Sequence, residues 1–281
     1  MRRNSVLTLS LVVCLVAANR QMPGALAQAG QQPVDEFRWS GQIAPGKEIE
    51  IKGINGNVDA VLAPGSNVEV LARKHARRSD PASVTFMVVE HDRGVTICAV
   101  YPTPDRSSWR RSGSDDGPNE CRPGGEGRMN TQNNDVQVDF SVRVPRDVRF
   151  VGNSVNGSIV ATSLSSDVEA YTVNGRVQVS TSGAASAETV NGSIDATLGS
   201  PKWEGALDFR TVNGAINLTL PAAVATELRA ETMNGDIRSD FPISIQSTRQ
   251  RGKRITGTIG SGGRELHISS LNGTIRLQSS R

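Results

Sequence analysis

Val190-Asn191-Gly192-Ser193-Ile194-Asp195-Ala196-Thr197-Leu198 holds the pattern that decides the fold. Ile194, Ala196 and Leu198 are apolar while Asp195 and Thr197 are polar, the two-residue period of a strand with one buried face. Ahead of that strand stands an apolar residue followed by Asn-Gly. The same unit recurs as Ile54-Asn55-Gly56-Asn57-Val58, Val155-Asn156-Gly157-Ser158-Ile159, Val173-Asn174-Gly175-Arg176-Val177 and Val212-Asn213-Gly214-Ala215-Ile216. It continues as Met233-Asn234-Gly235-Asp236-Ile237, a degenerate Ile255-Thr256-Gly257-Thr258-Ile259, and Leu271-Asn272-Gly273-Thr274-Ile275. From Asn156 onward successive asparagines, with Thr256 standing in once, lie 18, 17, 22, 21, 22 and 16 residues apart. A motif recurring at intervals of this kind marks a stacked repeat.

Asn-Gly between alternating strands is also the strongest short-range hairpin signal. A meander of hairpins would repeat the turn at every strand reversal, whereas here a loop of variable length alternates with a constant Asn-Gly. The repeat therefore predicts a parallel β-solenoid: strand, Asn-Gly corner, second strand, loose turn, with rungs stacked at ~4.8 Å. Right-handed coiling follows from the handedness of parallel crossovers. Glycine at each corner is expected to take a positive φ, and the asparagines to bond one another in a ladder. Leu207, Phe209 and Val212 before one turn, and Ile216, Leu218 and Leu220 after it, supply the buried faces. Only one segment conflicts. Pro221 to Glu231 has good helix propensity with proline at its start, but the repeat frame makes Leu228 to Met233 a strand.

The amino-terminal part is less regular. Val58 to Ala60 and Val68 to Leu71 read as a first coil or cap, and Val84 to Glu90 with Val95 to Tyr101 as a hairpin around His91-Asp92-Arg93-Gly94. Residues 102–135 form an insertion rich in Pro, Gly, Ser, Asn and charge. Alternation resumes over Val136 to Val144 and stops at Pro145.

Before all of this lies an address. Met1 to Asn4 are basic, Val6 to Ala18 apolar over a run too short to span a bilayer, and Ala25-Leu26-Ala27 small where a signal peptidase cuts. Residues 1–27 are expected to be a signal peptide, 28–36 a short linker and 37–280 a single solenoid domain. A lipoprotein signal would use Cys14, but bulky Val13 precedes it. No later segment is long and apolar enough to be transmembrane. The formal charge is +3, from 31 basic and 28 acidic side chains. Losing Arg2, Arg3 and Arg20 with the leader leaves 28 of each, so binding of nucleic acid by global charge is not expected. Export also removes Cys14 and leaves Cys98 and Cys121, two cysteines for an oxidising compartment and an expected disulfide.

These Val-Asn-Gly-x-Ile rungs behind a leader resemble the bacterial putative-adhesin family of exported β-strand-repeat proteins of unknown function, related to the auto-transporter adhesin head (GIN) domain. The resemblance spans about residues 37–280. It implies a right-handed, β-helix-like fold in the periplasm, envelope or extracellular space. It supplies no catalytic residues, and the cysteine-bearing insertion departs from the bare repeat.

Signs of chemistry are sparse. His75, His91 and His267 are the only histidines, and none stands at metal spacing from another. Solenoid enzymes acting on polysaccharides need clustered carboxylates on one face. The positions after the buried Ile or Val are Asp59, Val160, Gln178, Asp195, Asn217, Arg238, Gly260 and Arg276, a mixed stripe. Asp115, Asp116 and Glu120 miss the spacing of a calcium loop. No enzyme, cofactor or metal is therefore expected. Arg73 to Arg78 and Arg249 to Arg254 are basic clusters, read either as contacts for anionic lipid or polysaccharide or as charges that keep an edge soluble. Trp109 beside Arg110 and Arg111 in the insertion suits contact with a protein or glycan. The expected role is a non-catalytic adhesion or binding scaffold of the envelope, its partner an envelope protein or a glycan. An envelope-stress or signalling component docking a membrane partner is the alternative, and a polysaccharide-active enzyme the lesser one.

Overall fold

Residues of alternating polarity build 21 strands in the computed structural model, which describes residues 35–103, 119–124, 130–248 and 252–280. All of these fall in one unit, Gln32–Arg281. In chain order the strands begin with β1 (Glu36–Gln42), β2 (Glu48–Lys52), β3 (Val58–Leu62), β4 (Asn67–His75), β5 (Thr85–His91), β6 (Gly94–Val100) and β7 (Gln137–Val144). There follow β8 (Arg149–Asn153), β9 (Ile159–Leu164), β10 (Val168–Tyr171), β11 (Val177–Thr181), β12 (Ala185–Asn191), β13 (Ile194–Leu198), β14 (Leu207–Asn213) and β15 (Ile216–Pro221). The last are β16 (Thr226–Asn234), β17 (Ile237–Ser239), β18 (Ile243–Thr248), β19 (Lys253–Ile259), β20 (Arg264–Asn272) and β21 (Ile275–Ser280).

Two long sheets, both mostly parallel, enclose one core. The ten-stranded sheet runs β1-β4-β7-β3-β9-β11-β13-β15-β21-β17, and the eleven-stranded sheet β18-β19-β16-β20-β14-β12-β10-β8-β2-β6-β5. The chain is thus all-β and solenoid-like: a rung gives one strand to each sheet, and β2–β3, β8–β9, β10–β11, β12–β13, β14–β15, β16–β17 and β20–β21 are joined across an Asn-Gly pair. Inward positions alternate with outward ones along every rung. On β15, Ile216, Leu218 and Leu220 are fully buried while Asn217 and Thr219 face outward. Large and small side chains trade places between rungs. Phe150 and Phe209 are buried in a sheet whose β10 and β12 offer Val168, Ala170, Ala185 and Ala187 at the facing positions. This keeps the interior full with few aromatics.

Antiparallel strands end both sheets on the side of β1 and β5, and the eleven-stranded sheet on the other side, where β17 of the ten-stranded sheet stays parallel to β21. At one end β4 pairs antiparallel with β1 and β7, and β5 with β6. Phe37 stacks on Phe86 at 4.5 Å and Phe86 meets Phe140 edge-on at 6.1 Å, a ring plug over the core. At the other end β19 runs antiparallel to β16 and β18.

One expectation is corrected here, and two features of the rung order were not foreseen. Ile255 to Ile259 is not a corner: it lies within β19, with Gly257 opposite Leu228 and Thr256 opposite Arg229. Lacking the asparagine, this copy cannot join the ladder, and it returns antiparallel instead. The rungs also do not stack in chain order. β20 lies between β14 and β16, and β21 between β15 and β17, so the last repeat fills a gap its predecessor left. Finally, β6 and β7 form an end rung beside β2 and β3, so the insertion occupies the place of that rung's Asn-Gly crossing. Leu228 to Met233 lies in strand β16, because burial of Leu228 and Ala230 outweighs local helix propensity.

Candidate functional site

The edge along which the chain crosses between the sheets is built from four residues per rung. Asparagine comes first. Asn156 Nδ2 donates to Asn55 Oδ1 at 2.9 Å, Asn174 to Asn156 at 2.8 Å, Asn191 to Asn174 at 2.8 Å and Asn213 to Asn191 at 2.8 Å. Asn272 then donates to Asn213 at 2.7 Å and Asn234 to Asn272 at 2.7 Å. The ladder follows the spatial order of the rungs, not the chain order. An amide carries two N–H groups and two acceptor lone pairs. The ladder uses one of each, so every exposed asparagine between the ends turns one N–H and one lone pair to solvent.

A second ladder lies beneath. Two residues before every ladder asparagine but Asn55 stands a buried serine or threonine whose hydroxyl donates to the glycine carbonyl of the neighbouring rung. Ser154 bonds Gly56 O at 3.0 Å, Thr172 bonds Gly157 O at 2.8 Å and Thr189 bonds Gly175 O at 2.9 Å. Thr211 bonds Gly192 O at 2.8 Å, Ser270 bonds Gly214 O at 3.0 Å and Thr232 bonds Gly273 O at 2.9 Å. Reading the motif from its apolar residue missed these hydroxyls, although the sequence shows Ser or Thr at that position in all six.

The glycines are needed for a reason other than the one expected. Of the corner glycines only Gly56, at φ 119°, lies in the left-handed region. The others sit against the carbonyl of the glycine in the adjoining rung. A Cβ on Gly192 would fall 2.6 Å from the carbonyl carbon of Gly175 and closer still to its oxygen. Backbone contact between rungs, not φ, excludes a side chain there. Gly157, Gly175, Gly214, Gly235 and Gly273 meet the same obstacle.

This packing turns the residue before each asparagine outward. Val212 does not continue the inward set of Leu207 and Phe209; Thr211 takes that place, at 5% exposure, and Val212 is 37% exposed. Val173 and Val190 are each 39% exposed, Leu271 45% and Met233 58%. Val155 is half-buried. The edge thus carries two exposed parallel rows, one aliphatic and one of amides. At the insertion-bearing end the apolar row stops, for Ile54 is buried. There Asn55 Nδ2 reaches Val136 O at 3.4 Å, and Tyr101 donates to Val136 O at 2.8 Å and Asn55 O at 3.3 Å.

The foot of the insertion is fastened beside that end. Cys98 and Cys121 are disulfide-bonded with Cα atoms 5.7 Å apart. Glu50, 1% exposed, accepts from Thr96 Oγ1 at 2.6 Å and from the Gly124 N–H at 2.9 Å, and stands 3.5 Å from Lys52 Nζ. Lys52 donates in turn to Arg122 O at 2.6 Å and to Gly124 O. Each buried charge therefore has its partners. Trp109, Arg110 and Arg111 lie outside the described residues, as do Asp115, Asp116 and the leader.

Elsewhere the charges pair among themselves. On the outer face of the eleven-stranded sheet Arg149 meets Glu169 at 2.6 Å and Arg210 meets Asp208 at 2.6 Å. His267 lies 3.4 Å from Asp208 and 3.3 Å from Glu265. Burial, then the carboxylates of Glu169, Glu188 and Asp208, push the Tyr171 phenol up. His75 is exposed beside Gln137 and Asp139, and His91 ends β5 with its ring 3.0 Å from Thr96 Oγ1. In the two basic clusters Arg73 pairs with Glu36, Arg78 with Asp135, Lys253 with Asp236 and Arg254 with Glu231. The stripe from Asp59 to Arg276 forms one outward row of the ten-stranded sheet, except Gly260, which falls beyond β19. Among the described residues no group of three His, Cys, Asp or Glu is placed to hold a metal ion, and no helix is long and apolar enough to cross a membrane.

No curated protein matches the chain. Solved structures similar to it include a putative cell adhesion protein from Clostridium sporogenes, at 10% identity and a TM-score of 0.42 over 87% of this chain and 100% of that one. Others are a putative adhesin from Bacteroides fragilis, at 11% identity and 0.34 over 87% and 97%, and one from Parabacteroides distasonis, at 11% and 0.22 over 86% and 96%. The Toastrack DUF4097 profile matches residues 126–278, the stretch that holds six of the seven Asn-Gly pairs of the ladder. That is more than half of the 281 residues, and the chain belongs to the Toastrack DUF4097 family.

Proposed function

We propose that this chain is an exported, non-catalytic β-solenoid, coiled right-handed, that serves as an adhesion or binding scaffold in the bacterial envelope. The observation that carries the reading is the pair of exposed rows along the Asn-Gly edge. Core packing does not account for Val173, Val190, Val212, Leu271 and Met233, since each points away from the core. Single exposed apolar residues are ordinary, but a contiguous apolar strip marks an interaction surface. The strip is also held rigidly: amide and hydroxyl ladders tie each rung to the next, so little conformational entropy is lost on contact. The charged face beside it offers no comparable surface, because its ions already neutralise one another.

The test is retention of the tagged mature chain on isolated envelope fractions, compared with the triple variant Val190→Ser, Val212→Ser, Leu271→Ser. Those side chains are exposed, so the variant should melt near the parent temperature and lose retention at least tenfold. Equal retention by both proteins removes the edge as the binding surface. A parallel replacement of 105–119 by a Gly/Ser linker, both cysteines kept, asks whether the insertion with Trp109, Arg110 and Arg111 contributes. Surface labelling against periplasmic release settles the compartment.

A further inference from the structure

We infer that the edge binds an uncharged, linear polysaccharide laid along the coil axis; the inference rests on the scaffold reading above and names its ligand. The first argument is shape. Six rungs from Val155 to Met233, stacked at ~4.8 Å, give a strip about 24 Å long, and two adjacent residues make it roughly 7–10 Å wide. A strip of this shape, long and one chain wide, is covered along its whole length by a single extended polymer.

The second argument is period. Every rung presents the same pair, one aliphatic side chain and one amide, so the ligand must repeat as well. An extended peptide advances ~3.3 Å per residue and alternates its side chains, so residues on one side recur every ~6.6 Å and fall out of step with ~4.8 Å rungs. A chain of sugar rings advances by units close to the rung spacing, and where successive rings are turned over, as in a β-1,4-linked chain, the same ring face recurs at every second rung.

The third argument is chemistry. Neither row contains a titratable side chain, so nothing in it rewards a charged polymer. The amides of Asn174, Asn191, Asn213 and Asn272 each keep one N–H and one lone pair beyond the ladder. A hydroxyl both donates and accepts, so a sugar hydroxyl satisfies both at once. The aliphatic row meanwhile covers the C–H face of the ring, and the two demands of a sugar fall on two adjacent rows.

The mature chain is tested against cellulose and chitin by co-sedimentation, and against cello- and chito-oligosaccharides of two to six units by calorimetry. Binding to at least one of these neutral series, strengthening with each added unit and weakened at least tenfold by the triple serine variant, is the expected result. Failure to bind any neutral polysaccharide overturns the inference. If envelope retention nevertheless depends on the edge, the scaffold reading survives and the ligand is another class, a protein or a lipid surface. If neither is seen, both readings fall together. Polysaccharide binding indifferent to the serine variant also overturns the inference, since the site would then lie off this edge.

Discussion

Replacing Gly192 by alanine tests the close backbone contact on which the stacked corners depend. The added Cβ would lie 2.6 Å from the carbonyl carbon of Gly175 and 3.2 Å from Arg176 N, whereas carbon atoms rest at ~3.5–4.0 Å. The two rungs must separate by about 1 Å at this corner. That movement strains the hydroxyl bond from Thr189 to Gly175 O at 2.9 Å and the amide bond from Asn191 to Asn174 at 2.8 Å. Two such bonds contribute ~1 kcal/mol each, and overpacking a tight contact costs ~1–3 kcal/mol. The expected destabilisation is about 3–5 kcal/mol, read from the urea midpoint at constant slope. Ser193→Val, one residue on and partly exposed, should stay within about 1 kcal/mol of the parent. Gly192→Asn separates the two explanations for glycine. Asparagine tolerates a left-handed backbone, so a positive φ would make it mild, whereas contact between rungs makes it as damaging as alanine. An alanine variant within about 1 kcal/mol of the parent, or an asparagine variant clearly milder than alanine, refutes the contact argument.

Thr211→Val removes the hydroxyl that serves Gly192 O and should cost about 1–2 kcal/mol in urea unfolding, against no more than ~0.5 for Thr219→Val on the outer face. Alkylation under denaturing, non-reducing conditions should find neither Cys98 nor Cys121 free, and breaking this link of sequence separation 23 should cost ~3 kcal/mol by loop-closure entropy. The chain has two tyrosines, and both resist ionisation. Tyr101 is pushed up to about 12, chiefly by burial, and Tyr171 is raised by burial and three carboxylates. A phenol raised in the folded state contributes stability that is present below the unfolded value near 10 and is lost as pH rises beyond it. Near-ultraviolet titration of the folded protein should therefore show no phenolate step near pH 10, and such a step would contradict the burial of both rings. Intact mass of envelope-purified protein should lack residues 1–27; mature material that retains Met1 would rule out the leader.

What was legible in the sequence is what local chemistry specifies. Ile194, Ala196 and Leu198 alternate because a strand has two faces, and Asn-Gly recurs because each rung must cross between the sheets with no side chain in the way. The hairpin over Thr85 to Val100 could be read from its turn, and the resistance of β16 to its own helix propensity from the frame. The functional edge was half legible. Asparagines were expected to stack, but Val212 was read as core because it is apolar and close to Leu207 and Phe209. Only the hydroxyl of Thr211, bonded to Gly192 O, shows that the inward place is already taken. An apolar residue beside a buried threonine is, in this fold, the outward one.

The order of the rungs was not legible, and the reason lies in the repeat itself. Asn213, Asn234 and Asn272 present the same amide, so the ladder accepts them in any sequence. What separates them sits on the flanks. The rung of Asn234 carries Glu231, whose carboxylate meets Arg254 at 2.5 Å across the antiparallel pair of β16 and β19. The rung of Asn272 has Ser269 at the corresponding position and offers no such charge. β16 is therefore suited to lie under the closing strands, while β20 can be parallel on both sides, to β14 and to β16. A repeat whose units are interchangeable at the corner is ordered by the residues that break its uniformity, and in this chain those residues lie in the strands that close its ends.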